Sequence, residues 1–404
     1  MNNRTLHIIG ICLALCACQR QAPKGTGSFL MEFVMPEEFG PSASYALQTV
    51  YMSGSMSYEF QTDIMGMVTV ESVVPDLYNI VTGMELTGAQ YKALVPDAAV
   101  EDNARVNVGI SLMNQPIFKA EDLRIQLTSA VLKDLLISKI YYSGTKDNMD
   151  RNYKADSYVE IFNNSDEVVF LDGKYLGIAD GASPAADYFP ASENPDSIFL
   201  KQLCKFPGNG TDYPVQPGGS VVIAASSARN HVESASTSVD LSQADFEVKA
   251  MDSSGNPDVP MLPLISNTYP SLQEFNLTSS GPNAVMIIET DEDPLTWPEM
   301  YRKGKTSGDR WRRMHKRWVT DGIECLKKQA NADPDVNTKR LQTTIDAGYA
   351  VISSVSGYTH ESVERKVSRE ENGRVYLVDS NNSSADCVVL TDPTPRKYDK
   401  EGLR

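Results

Sequence analysis

The sequence predicts an all-β protein built as two β-sandwich domains behind a short N-terminal leader. Three observations carry that expectation. From residue 29 onward, apolar residues recur at every second position in short runs, which is the period of a half-buried strand. Gly, Pro, Asn and Asp gather between those runs, where turns need their backbone freedom or their side-chain acceptors. The 404 residues, 41% apolar and 22% charged, have ordinary globular composition and are long enough for two or three domains. The 37 Lys and Arg against 53 Asp and Glu leave a net charge of −16, which argues against nucleic acid as a partner of the whole protein.

Residues 1–17 read as a secretory leader. Arg4 supplies the positive end, and Ile8 to Leu15 form an apolar stretch too short to span a bilayer. The stretch ends Leu15-Cys16-Ala17-Cys18, with a small residue before the last cysteine. This resembles a bacterial lipobox, and the resemblance implies cleavage before Cys18 and acylation (palmitate among the chains) of its thiol. One acyl chain holds a protein only marginally and two or three hold it stably, so such a chain is tethered to a membrane without crossing it. Gln19 is not the Asp that, by analogy with lipoproteins, retains them at the inner membrane, so the outer membrane is favoured. No acidic residue follows Cys18 until Glu32, which favours the periplasmic face over the cell surface. Residues 18–27 are polar with Pro and Gly and form the tether.

Residues 28–130 are the first domain. Phe29, Met31, Phe33 and Met35 alternate with Leu30, Glu32 and Val34, a strand with its stronger apolar face on the odd positions. Thr62-Asp63-Ile64-Met65-Gly66 leads into Met67-Val68-Thr69-Val70, and Pro75 precedes Asp76-Leu77-Tyr78-Asn79-Ile80-Val81. Gly66 allows a positive φ in the turn, and Pro75 breaks the ladder before the next strand. This resembles the Ig-like or prealbumin-like modules of the carboxypeptidase-regulatory type, although the Gly of their Pro-x-Gly-x-Tyr turn is missing and the turn is one residue shorter. Residues 105–110 and 123–127 continue the alternation.

Residues 131–397 are the second domain, followed by a polar tail at 398–404. Leu135-Leu136-Ile137-Ser138-Lys139-Ile140-Tyr141-Tyr142, Tyr158-Val159-Glu160-Ile161-Phe162-Asn163-Asn164-Ser165 and Val168 to Leu176 are followed by Gln216 to Ala224, Val319 to Glu324, Ser362 to Lys366 and Asp392-Pro393-Thr394-Pro395. In that order these segments resemble a lamin-tail domain, an Ig-like β-sandwich, with Tyr175 where that family commonly has Trp and Lys139 where it commonly has Glu. Stretches near 180–213 and 232–315 read as insertions. Leader, small β module and stretched lamin-tail-like domain together resemble uncharacterised lipoproteins of the Bacteroidetes.

Few residues invite catalysis. Only His231, His315 and His360 lie beyond the leader. His360-Glu361-Ser362-Val363-Glu364 has Glu where a zincin needs its second His, and it falls in a segment that reads as strand. Asn148-x-Asp150-x-Asn152 alternates oxygen donors like a calcium loop, but Tyr153 and Val159 replace the required Gly and Glu. Asp291-Glu292-Asp293 reads as a charged turn. Cys204, Cys325 and Cys387 match no zinc or redox spacing; buried free thiols are expected, with one disulfide and one thiol as the alternative. No cofactor, metal site or catalytic group is assigned.

The window from Tyr301 to Trp318 is the most unusual, with eight Lys and Arg against one Asp. Trp311, Met314, His315 and Trp318 are spaced as one face of a short helix, opposite Arg312, Arg313, Lys316 and Arg317. Two readings follow. The Trp face covers the sandwich while the cations offset an acidic body, or Arg310, Trp311, Arg312, Arg313, Lys316, Arg317 and Trp318 dock something anionic: lipid A phosphates, an acidic glycan or an acidic partner. Asp196-Ser197-Ile198 matches a short O-glycosylation pattern at Ser197. The function expected is a non-catalytic binding or assembly module on a lipid anchor, accessory to an outer-membrane nutrient receptor. The alternatives are a structural or adhesive surface protein and, behind it, a glycan-acting enzyme.

Overall fold

The computed structural model describes residues 25–96, 98, 100, 102, 104–180, 189–190, 193–250 and 255–399. The leader, Cys18, most of the tether and residues 400–404 lie outside the described residues. The protein is nearly all β.

The first sandwich pairs two sheets. Its strands are β1 (Phe29–Val34), β2 (Thr49–Ser53), β3 (Ser57–Gln61), β4 (Met67–Val70), β5 (Asp76–Thr87), β6 (Arg105–Ile117), β7 (Leu123–Gln126) and β8 (Thr128–Leu132). Sheet order is β4-β1-β7 in one layer and β3-β2-β5-β6-β8 in the other. The alternation read from the sequence decides the packing. Phe29, Met31 and Phe33 of β1 point inward with Val68, Val70 and Ile125, and meet Val50, Met52, Tyr78, Ile80 and Val108 of the facing layer. Gly66 has φ +80°, and the Asp63 carboxylate accepts from the Met65 and Met67 amides at 2.8 and 2.9 Å, so the predicted turn forms.

The second sandwich holds β9 (Leu135–Tyr141), β10 (Thr145–Lys146), β11 (Asn152–Tyr153), β12 (Tyr158–Asn163), β13 (Val169–Phe170), β14 (Tyr175–Ala179), β15 (Ser197–Lys205), β16 (Pro214–Val215) and β17 (Ser220–Ala224). It continues with β18 (Phe246–Ala250), β19 (Met261–Asn267), β20 (Asn283–Ile288), β21 (Glu299–Tyr301), β22 (Arg310–His315), β23 (Val319–Cys325), β24 (Ser362–Arg365), β25 (Val367–Glu371), β26 (Arg374–Leu377) and β27 (Cys387–Leu390). Its main sheet runs β23-β20-β14-β15-β19-β18-β17-β12-β9-β24-β27, with β22 and β21 attached beside β15. The sheet curls so that β9 faces β20 and β23, and the Ile137 amide donates across the gap to Asp321 Oδ2 at 2.6 Å. Ile140, Val159, Ile161, Leu176, Ile223, Val285, Ile287 and Ile323 fill the space between.

Two expectations need revision. The stretches near 180–213 and 232–315, expected as insertions, carry β15 and β18 to β22, and of these β15, β19 and β18 join β14 to β17 in the main sheet. The helix expected near 311–318 is instead strand β22, paired to β15 on one side and β21 on the other, followed by a 3-10 turn at Lys316–Trp318. Trp311 and Met314 are both buried, but on opposite faces of the strand: Trp311 meets Phe189 and Tyr269, and Met314 joins Ile198, Leu200 and Trp297. A strand buried on both faces produces apolar i, i+3 spacing by parity, and that spacing imitates a helix. Trp311 therefore covers core and is not a docking residue.

Cys204, Cys325 and Cys387 are free thiols inside the core. Burial pushes all three thiols up in pKa, so they pack as small apolar groups.

Candidate functional site

The site is a cleft of about 400 Å³ where the head of β15 meets the end of β22. The ladder sets its floor. Ser197 lies opposite His315 and Ile198 opposite Met314, so the last residues of β22 emerge beside Asp196. The Lys316 amide donates to Asp196 O at 2.8 Å, and its ammonium pairs with the Asp196 carboxylate at 2.8 Å. Hydrogen bonding to Lys316 and its charge hold the Asp196 carboxyl below the usual range.

Trp297 and Trp318 form the apolar wall. Trp297 follows the 3-10 turn Pro294–Thr296, capped by Asp293, which accepts from the Leu295 amide at 3.0 Å. Glu292 ties the wall together: it accepts from Trp297 Nε1 at 2.7 Å and from Arg317 at 3.3 Å. The Arg317 guanidinium lies over the Trp318 ring, 4.3 Å from its centroid. Arg312 braces the turn from behind, donating to Leu295 O and Trp297 O at 2.8 and 2.9 Å.

Of the five cations between 310 and 317, four are held by local acids: Arg310 and Arg312 by Glu299, Lys316 by Asp196, Arg317 by Glu292. Arg313 is different. It is exposed, it lines the cleft, and among the described residues its guanidinium has no hydrogen-bonding or ionic partner. His315 stands beside it and accepts from the Arg317 amide through Nδ1 at 3.1 Å, so its neutral ring carries the proton on Nε2. A planar five-donor cation, an imidazole N–H and an indole wall suit a planar anion on an apolar ring.

Two separate sequence expectations meet here. Ser197, Arg313, Arg317 and Trp318 share the cleft, while Lys316 sits at its edge, Arg310 and Arg312 turn to Glu299, and Trp311 lies in the core. Ser197 is half-buried, and its carbonyl accepts from Gln342 Nε2 at 3.0 Å. Sequence reasoning missed Trp297 and the bridging role of Glu292. The acidic run at 291–293 five residues before a Trp was the available signal.

The other candidates are engaged elsewhere. Residues 147–152 form a hairpin turn, where the Asp147 carboxylate accepts the Met149 and Arg151 amides and Lys146 donates to Asn152 Oδ1. His360 has a left-handed backbone (φ +58°) and precedes β24, and Glu361 accepts from the Ser353 amide. Among the described residues no group of three or more His, Cys, Asp or Glu gathers as a metal site, and no helix is long and apolar enough to cross a membrane. A larger depression of about 580 Å³ lies between residues 236–244 and the Pro393–Pro395 turn. Its cation Arg396 is already bound to Asp245 at 2.6 Å and to Ser220 O at 2.8 Å.

No curated protein matches the chain. Among solved structures, the crystal structure of a DUF4876 family protein from Bacteroides thetaiotaomicron is similar over 93% of this chain and 99% of that one, with a TM-score of 0.57. At 21% sequence identity that likeness shows the fold. The family described as "Protein of unknown function (DUF4876)" matches residues 216–394, which run from the approach to β17 to the closing Pro-rich turn and carry the Trp297, Arg313 and Trp318 side of the cleft. In sequence over that stretch and in fold over nearly its whole length, this chain is similar to DUF4876 proteins.

Proposed function

We propose that the protein is an outer-membrane lipoprotein, acylated at Cys18, that binds an anionic glycan through the Arg313 cleft as a non-catalytic module beside a nutrient receptor. The single observation that carries the binding reading is the Arg313 guanidinium, without a partner among the described residues, in a cleft walled by two tryptophans where the other cations of the 310–317 stretch are paired. An exposed cation left open beside indole rings matches the needs of a carboxylated or sulfated sugar, which offers a planar or forked anion and a ring face with C–H groups. The volume of about 400 Å³ is at the small end of ligand pockets and takes one or two sugar units. The carboxylates of the cleft support a binding role over catalysis. Lys303 pairs with Glu193, Lys316 with Asp196, and Trp297 and Arg317 hold Glu292, so each of the three is engaged by a local donor. We read the first sandwich as prealbumin-like and the second as lamin-tail-like; the segments that carry those resemblances supply β4, β5, β9, β12, β13, β14, β17, β23 and β24.

An array of carboxylated, sulfated and neutral oligosaccharides tests the reading. Acidic members are expected to bind and neutral ones not, with affinity falling as salt rises. Arg313→Glu is expected to weaken binding at least tenfold with an unchanged unfolding midpoint, and Trp318→Ala to weaken it as well. Equal binding by wild type and Arg313→Glu removes the cleft from the proposal.

A further inference from the structure

We propose that the end of the first sandwich where the tether enters is a membrane-contact face, resting in a zwitterionic lipid interface. The inference rests on the proposed Cys18 anchor and adds an orientation to it.

The entry point is fixed by hydrogen bonds. The Thr26 amide donates to Val73 O at 2.9 Å, the Val73 amide to Thr26 Oγ1 at 3.2 Å, and the Ala120 amide to Thr26 O at 3.1 Å. Three further segments end at this place. Asp76 opens β5 opposite Ile117, the last residue of β6, and the turn between β2 and β3 is bound there by the Ser55 amide, which donates to Asp76 Oδ2 at 2.7 Å. Each segment exposes one large apolar side chain: Met56 is 53% exposed, Leu77 47% and Phe118 60%. Side chains of this kind, gathered at one end and aimed at water, fit an apolar or interfacial partner.

The chain itself names the partner. Cys18 precedes Thr26 by eight residues, and eight extended residues reach about 28 Å at most. An acylated Cys18 therefore keeps this end within about 28 Å of the bilayer. The β5–β6 hairpin runs away from it for roughly 40 Å at the rise of a strand. At its far end Arg105 donates to Asn164 O of the second sandwich at 3.2 Å. The second sandwich, with its cleft, is thus held at the opposite end of the first. Charge narrows the lipid. Glu71, Asp76, Glu121 and Asp122 flank this end, and Lys119 is paired with Glu121 at 3.0 Å. Such a rim repels an anionic surface and tolerates a zwitterionic one. Exposure alone does not decide the matter, because Leu47, Ile64 and Met65 form another exposed apolar tip at the far end of β1. The entry point distinguishes the two.

Trp297, Trp311 and Trp318 all lie in the second sandwich, so an indole introduced in the first is a clean probe against the wild-type background. The acylated full-length protein is reconstituted into phosphatidylcholine–phosphatidylethanolamine vesicles with brominated acyl chains. The added emission of Phe118→Trp is expected to be quenched at least twofold more than that of Ile64→Trp. Leu77→Trp repeats the measurement from a separate strand, so a misfolded variant does not decide it. Protein that floats with the vesicles but shows equal or absent quenching at both ends overturns this orientation and leaves the anchor standing. Protein that does not float with them overturns both.

Discussion

Glu324 shows what the second sandwich does to a single carboxyl. It is buried in β23, where its Oε2 accepts the Arg340 and Leu341 amides at 2.9 and 2.8 Å, and burial pushes it up to about 7. The unfolded chain releases this proton near the ordinary value of 4.5, so the group stabilises the fold most below that pH and loses its contribution as pH rises toward 7. Glu324→Gln keeps an acceptor and removes the charge. Urea unfolding is expected to show the variant gaining on wild type between pH 4.5 and 7, by about 3 kcal/mol at the upper end. Arg365 is the complementary case: a buried guanidinium that meets Asp321 at 2.8 Å, Asp386 at 3.2 Å and Asp379 at 3.4 Å. Burial raises Asp321 and Asp386 in pKa while Arg365 pulls them back. Arg365→Leu leaves those carboxyls uncompensated, at a cost of about 3–5 kcal/mol near neutral pH. That cost should shrink in acid, where the carboxyls take up protons, and unfolding midpoints at pH 5 and 7.5 measure the difference. The sequence showed Arg365 in a strand and Asp321 in another; their meeting required the curl of the sheet.

At the scale of the element, two glycines set the closest approach of the long hairpin. Gly83 in β5 faces Gly109 in β6, and a Cβ on Gly109 would lie 2.2 Å from Thr82 O and 2.7 Å from the Gly83 Cα. Gly109→Val forces the strands apart and is expected to destabilise the first sandwich by about 1–3 kcal/mol. Far-ultraviolet circular dichroism should lose signal at lower urea, while the emission of the three tryptophans, all in the second sandwich, reports the later transition. Strand β22 teaches the converse lesson. Its apolar spacing resembled a helix because Trp311 and Met314 serve two different layers. Period is a reliable guide for β1, which has one buried face, and an ambiguous one for a strand covered on both.

At the scale of the whole molecule, the proposed anchor and the apolar entry end lie at one end of the first sandwich, and the second sandwich with its Arg313 cleft meets the other. Cys18→Ser is expected to leave the leader uncleaved and to remove the acyl chains, which fractionation of cells and the mass of the N-terminal peptide check directly. A variant that is still processed and still acylated removes the anchor and the orientation argued from it, while the glycan array continues to test the cleft by itself. The C-terminal segment also acts at this scale. Tyr398, expected in a polar tail, donates to Glu160 Oε1 at 2.7 Å, and Lys139 lies 4.8 Å from its ring centroid while pairing with Glu364 at 2.6 Å. The outer face of β9, β12 and β24 is closed by chain that sequence reasoning had left outside the domain.

The sequence by itself determined that the protein is all-β, where β1, β4, β5, β9, β12, β17, β23 and β24 lie, and which turns separate them. For β1, β4 and β5 those features depend on a residue and its near neighbours: alternation over four to eight positions, a positive φ at Gly66, a ladder broken at Pro75; β9, β12, β17, β23 and β24 followed from the lamin-tail resemblance, since strands such as β9 and β12 are buried on both faces and do not alternate. The tertiary structure alone decided that residues 180–213 and 232–315 carry strands of the main sheet, that Trp311 is core, and that Ser197, Trp297 and Arg313 share a cleft. The cleft requires pairing between segments more than a hundred residues apart, β15 with β22, and no local period in a chain encodes which distant strand will become its neighbour.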